Sequence, residues 1–167
     1  MRVLGIDVGL RVTGYVVCDV NGGSIELIDQ GQISTGTGTV FSQRLGSIYD
    51  TLSAVVSRYS PQGLILEKLY SHHRHPTTLG VLAQIRGIAI LLGYQKSLDI
   101  FEYAPTRARK ALLGKGSADS FQVKKMIEAN YGYKMGSEHI ADAFSLAVTF
   151  SHARKIDLLK ERAGLKK

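Results

Sequence analysis

The chain has a single cysteine in 167 residues, Cys18. A lone thiol makes no intrachain disulfide, which points to a reducing compartment, the cytoplasm. No apolar run approaches the length of a membrane span, and residues 1–5 lead straight into a strand-like pattern that leaves no room for a signal peptide. The expectation is a soluble, cytoplasmic protein with no membrane partner. Internal repeats and low-complexity segments are lacking too. At this length the chain is most simply one domain, large enough to bury a core without covalent staples.

Acids are the other scarcity. Fourteen Asp and Glu face 21 Lys and Arg, a formal net charge of +7, which favours a polyanion partner without naming one. Residues 106–125 carry Arg107, Arg109, Lys110, Lys115, Lys124 and Lys125 against Asp119. From Arg154 onward, six more Lys and Arg stand against Asp157 and Glu161. Each cluster taken alone reads as a solvated face. The expected division is a folded domain over residues 1–155 and a basic tail over 156–167.

Where acids are few, those that interrupt apolar runs carry information. Residues 3–15 read VLGIDVGLRVTGY: an apolar run is broken by Asp7, turns at Gly9 and resumes at Tyr15. That pattern predicts a two-stranded hairpin with a carboxylate on its first strand. An isolated ionised carboxylate in a low-dielectric interior is costly. Asp7 therefore either caps the turn or pairs with a base, or it holds a metal or faces a phosphate. Asn21, Gly22 and Gly23 then signal a turn, and residues 24–33 alternate as a third antiparallel strand.

A Ser, Thr and Gly loop over 34–39 precedes helical periodicity from Leu45 to Tyr59, ended by Pro61 and Gly63. Residues 64–70, LILEKLY, form a second apolar run with one acid, Glu67. A strand after a helix pairs in parallel with an earlier one through a right-handed crossover. Placed beside the first strand, it brings Asp7 and Glu67 to the carboxyl edge of the sheet, where open α/β sheets put their sites. The plainer alternative for Glu67 is a surface glutamate.

The loop SHHRHP over 71–76 has three histidines, but its spacing fits no zinc motif. A basic loop touching phosphate, or merely solvated, fits better. Residues 77–94 form a helix apolar on most of its circumference, which implies burial on more than one side and an interface with another subunit. A short strand over 100–103, a basic helical turn, a loop GKGS over 114–117 and a helix over 119–130 follow. Ser137 is a good N-cap for a last helix. In it His139 and Asp142 lie three residues apart, on one face, placed to share a cation or phosphate near the helix's positive end. The fold class expected is α/β, a five-stranded mixed sheet flanked by helices.

In this order the motifs GIDVGLRVTGY, ILEKLY, QIRGIA, EYAP, GKGSAD and EHIADAFSLA resemble the RuvC family of Holliday junction resolvases, within the ribonuclease H-like superfamily. The resemblance covers nearly the whole chain. It implies a metal-dependent endonuclease acting in recombination and repair. The implied substrate is four-way junction DNA, cut by paired symmetric nicks. Two Mg²⁺ ions, with Mn²⁺ as substitute, would be held by Asp7, Glu67, His139 and Asp142. Asp7 would bridge, Glu67 and Asp142 would each bind one ion, and His139 would ligate or orient the water. Hard oxygen donors suit these cations independently of the name.

The resemblance further implies DNA contacts from Tyr70, Arg74, Arg109, Lys110, Lys115 and Lys124, with Tyr70 stacking on a base or else packed in the core. A homodimer through the helix over 77–94 is implied, as is a branch-migration motor of the RuvA and RuvB type. Ser120 stands where the family commonly has a second Lys, and Val8 where it has a Pro. Where some members have Asp, this chain has His139, which predicts looser ion binding than an all-carboxylate site. The rival readings are an actin-like sugar kinase, for which one domain is too few, and a non-catalytic or differently targeted nucleic-acid-binding relative.

Overall fold

A computed structural model describes residues 1–36, 38–69, 76–117 and 119–164. Among them the order is β1 (Arg2–Asp7), β2 (Val12–Asn21), β3 (Ser24–Ser34), α1 (Phe41–Tyr59), β4 (Gly63–Glu67), α2 (Pro76–Gln95), β5 (Asp99–Tyr103), α3 (Pro105–Leu113), α4 (Ser120–Tyr131) and α5 (Glu138–Arg162). The strands form one mixed sheet in the order β3-β2-β1-β4-β5. The first three pair antiparallel, and β4 and β5 run parallel to β1. The expected α/β class and five-stranded mixed sheet hold.

Strand periodicity divides the core into two layers. Val3 on β1 and Ile65 on β4 face α3, α4 and α5, and pack with Ala108, Val123, Ile127 and Phe144. Leu4, Ile6, Leu64 and Leu66 face the other way, onto α1 and α2, and pack with Ile48, Leu52, Ile85 and Leu92. Side chains alternate across a strand. Asp7 and Glu67 therefore share the face of Val3 and Ile65, the one that α5 covers.

Two boundaries differ from the sequence-based expectation. The strand expected over 64–70 ends at Glu67, because its partner β5 ends at Tyr103, opposite Glu67, just before Pro105. The basic helical turn is a nine-residue helix, α3, with Pro105 in its first turn and Gly114 closing it at φ 73°. Helix α2 also corrects the expectation about span-length runs. It is 20 residues long and, by length and composition alone, apolar enough to cross a membrane. It instead buries Leu82, Ile85, Ala89 and Leu92 against the sheet. Its Arg86, 17% exposed, is ion-paired with Glu102 of β5. Leu91 and Tyr94 remain exposed on it.

Helix α5 lies directly on the sheet because two strand residues facing it have no side chain. A Cβ at Gly5 would sit 2.8 Å from the Ala143 carbonyl oxygen, and one at Gly14 would collide with the backbone of His139 and Ile140. Gly14 stands opposite Asp7 in the β1–β2 register. The first turn of α5 is thus pressed against the strand pair that carries Asp7. Gly14→Ala is expected to force that turn outward and to destabilise the protein by about 1–3 kcal/mol in urea unfolding.

Candidate active site

Three chain segments far apart in sequence meet at the carboxyl edge of the sheet. The parallel register pairs Ile6 with Leu66, so the next residues, Asp7 and Glu67, lie side by side at the ends of β1 and β4. Helix α5 adds His139 and Asp142 from its first turns. Its N-cap Ser137 accepts a hydrogen bond from the Ile140 amide at 3.3 Å. The positive end of this helix faces the carboxylates, an arrangement the helix dipole favours.

His139 Nδ1 lies 2.6 Å from Asp7 Oδ2. A carboxylate only accepts, so Nδ1 donates. This bond raises the imidazole's pKa, against the opposing effect of burial. Asp7 is 13% exposed and His139 41%, so the ring is the member that solvent and ligands reach. Burial first, then the charges of Asp7 and Asp142, push the Glu67 carboxyl up to about 7. Asp142 is raised mainly by burial, while the Ser120 hydroxyl, donating at 2.7 Å to its Oδ2, holds it down. Arg109 on α3 is near enough to lower both Glu67 and Asp142.

Among the described residues, no three His, Cys, Asp or Glu side chains close into a ready-made metal cage. Asp7 and Asp142 each give an oxygen to a protein donor, the His139 ring and the Ser120 hydroxyl. The donor set nonetheless has the chemistry of a hard-cation site. Three carboxylates and an imidazole converge, and two of those carboxylates titrate high from burial and mutual repulsion. A divalent cation held there would remove that cost.

Of the other residues named from the sequence, Arg109 is beside the cluster. Lys110 lines a separate groove of about 210 Å³ between α3 and α5, with Arg107, Thr149, His152 and Ile156. Lys115 lines a second groove, of about 430 Å³, with Lys125, Gln122 and Met126. Lys124 is half-buried on α4. Tyr70 and Arg74 lie outside the described residues, as does most of the SHHRHP loop.

Two contacts that shape the site have no counterpart in the sequence-based expectations. Arg86 Nε donates to the Glu67 carbonyl at 3.2 Å while its guanidinium pairs with Glu102, which ties α2, β4 and β5 together behind Glu67. One arginine in an otherwise apolar helix was the available signal, since a buried charge needs a partner. The bond from Ser120 to Asp142 spans 22 positions and had no local signal.

The raised groups give the metal-free protein a defined pH response. A carboxyl raised in the folded state binds more protons there than in the unfolded chain, so stability falls as pH climbs from 4.5 to about 7. For Glu67 that loss is at most about 3 kcal/mol. The raised His139 acts in the same direction above its ordinary 6.5. Thermal unfolding of metal-free protein is expected to drop in temperature between about pH 5 and about pH 8. Millimolar Mg²⁺ is expected to restore more at the higher pH, and Glu67→Gln to flatten most of the slope.

The sequence matches the family described as RuvC, crossover junction endodeoxyribonuclease, over residues 3–150. A crossover junction endodeoxyribonuclease RuvC from Dichelobacter nodosus is 36% identical over 158 residues, 95% of this chain and 88% of that protein. One from Halorhodospira halophila is 34% identical over 167 residues, 99% of each. The fold is similar to that of Thermus thermophilus RuvC in complex with Holliday junction substrate. That structure gives a TM-score of 0.80 at 23% identity, over 92% of this chain and 96% of that one. By the family match and by 34% to 36% identity over nearly the full chain, this chain belongs to the RuvC family of crossover junction endodeoxyribonucleases.

Proposed function

We propose that this protein is a structure-selective endonuclease that resolves four-way DNA junctions by paired symmetric nicks, in recombination and repair. The observation that carries the reading is the convergence of Asp7, Glu67 and Asp142 with His139 at one sheet edge, in a basic chain of the RuvC family. Two Mg²⁺ ions, or Mn²⁺ in their place, would be held by these four residues and would supply charge neutralisation at the scissile phosphate and an activated water.

The protein's part is positioning and electrostatics. Asp7, beside Glu67 in the parallel register and bonded to His139, would serve both ions. Glu67 and Asp142 flank it. Were His139 to lose its Nδ1 proton and keep the one on Nε2, its bond to Asp7 would break and Nδ1 would be free to ligate or to orient water. Arg109, already beside the carboxylates, faces the phosphate. Lys110, Lys115 and Lys124, with Tyr70 and Arg74 from the 70–75 segment, serve as further DNA contacts. The domain over 1–155 does the cutting, and the basic stretch 156–167 extends it.

Two symmetric nicks call for two sites related by a two-fold axis, hence a homodimer. The apolar helix α2, with Leu91 and Tyr94 exposed, supplies a suitable surface. A branch-migration motor of the RuvA and RuvB type is the proposed partner, and the cytoplasm the site of action.

The test is cleavage of an immobile four-way junction against linear duplex, in Mg²⁺ or Mn²⁺. Paired nicks confined to the junction are expected, reduced about a hundredfold or more in Asp7→Asn. Junction binding without metal-dependent cutting would favour a binding protein. His139→Asp is expected to tighten Mn²⁺ binding by adding a fourth carboxylate. An unchanged or weaker affinity in a calorimetric titration would count against His139 as the cause of looser binding.

A further inference from the structure

We propose that Ser120 is a positioning residue for Asp142: its hydroxyl holds one oxygen of that carboxylate so that the other is presented to the metal cluster. The inference rests on the metal site proposed above and adds a residue to it.

The geometry is direct. Ser120 Oγ donates to Asp142 Oδ2 at 2.7 Å, a short bond of the charge-assisted kind. Both partners are anchored. Ser120 is the first residue of α4, whose N-cap Asp119 accepts from the Gln122 amide at 2.8 Å and fixes the first turn. Helix α4 is seated through Val123 and Ile127, both fully buried in the layer that contains Ala141, Phe144 and Val148 of α5. The hydroxyl therefore approaches Asp142 from a rigid neighbour. Left alone, a carboxylate rotates about two side-chain bonds, and repulsion from Asp7 and Glu67 drives it away from the cluster.

A serine hydroxyl is too short to reach past the carboxylate it bonds. Ser120 therefore acts on Asp142 itself. Each carboxylate oxygen has two lone pairs, so bonding Oδ2 to Ser120 leaves Oδ1 free for a cation. Hydrogen-bond partners of ligating carboxylates govern metal affinity through ligand orientation.

The test is Mn²⁺ titration of metal-free, full-length protein by electron paramagnetic resonance, which reads binding without catalysis. Ser120→Ala is expected to weaken Mn²⁺ binding by about tenfold. Ser120→Thr, which keeps the hydroxyl, is expected to return it to near the wild-type value, a rescue that a purely structural role for the position would not give. Asp7→Asn calibrates the site, and its expected result is loss of binding. If wild type and Asp7→Asn both fail to take up Mn²⁺, the metal-site reading falls and this inference with it. If wild type binds, Asp7→Asn does not, and Ser120→Ala matches wild type, the positioning role alone is overturned. Equal weakening in the Ala and Thr variants overturns it as well.

Discussion

The constraint on which the rest depends is electrostatic. Three carboxylates are gathered at one edge of the sheet, partly out of water, and they repel one another. Glu67 expresses that cost, its carboxyl pushed up to about 7. Every neighbour of the cluster bears on it. His139 donates to Asp7, Ser120 to Asp142, and Arg109 adds positive charge toward both Glu67 and Asp142. Arg86 grips the Glu67 backbone from behind. Such a concentration of like charge in the resting state supports the cation site proposed above, since perturbed carboxylates of this kind gather at functional sites.

The two core layers show how the sheet delivers this. Alternation along β1 sends Leu4 and Ile6 to the α1 and α2 side and leaves Asp7 on the α5 side. The parallel register does the same for Glu67 on β4. Glycine at positions 5 and 14 then lets α5 descend until His139 reaches Asp7. The pleat sets direction, and the missing side chains set distance.

This division explains what the sequence made legible. Asp7 and Glu67 stand out because each interrupts an apolar run; the crossover rule implies only a parallel partner among the earlier strands, and the sheet order supplies β1 as that partner. His139 and Asp142 stood out through spacing behind a good N-cap, and the family resemblance joined them to the carboxylates. The extent of α3 and the end of β4 were misjudged because partner strands and packing set them. The apolar character of α2 was underread, since its length meets that of a span while one face serves the core. The links from Ser120 to Asp142 and from Arg86 to Glu67 and Glu102 join different elements, and no local pattern encodes them.

The site is also spread across the order of synthesis. Asp7 comes at the start of the chain, Glu67 near the middle, and His139 and Asp142 only with the last helix. A chain still emerging from the ribosome can form the antiparallel β1–β3 ribbon and even pair β4 with β1, yet it lacks the helix that brings the imidazole and the third carboxylate. Domains fold as units once their parts are available. On the site proposed above, the cutting centre stays incomplete until synthesis has passed residue 142, so a partly made chain would hold no complete centre against nearby nucleic acid.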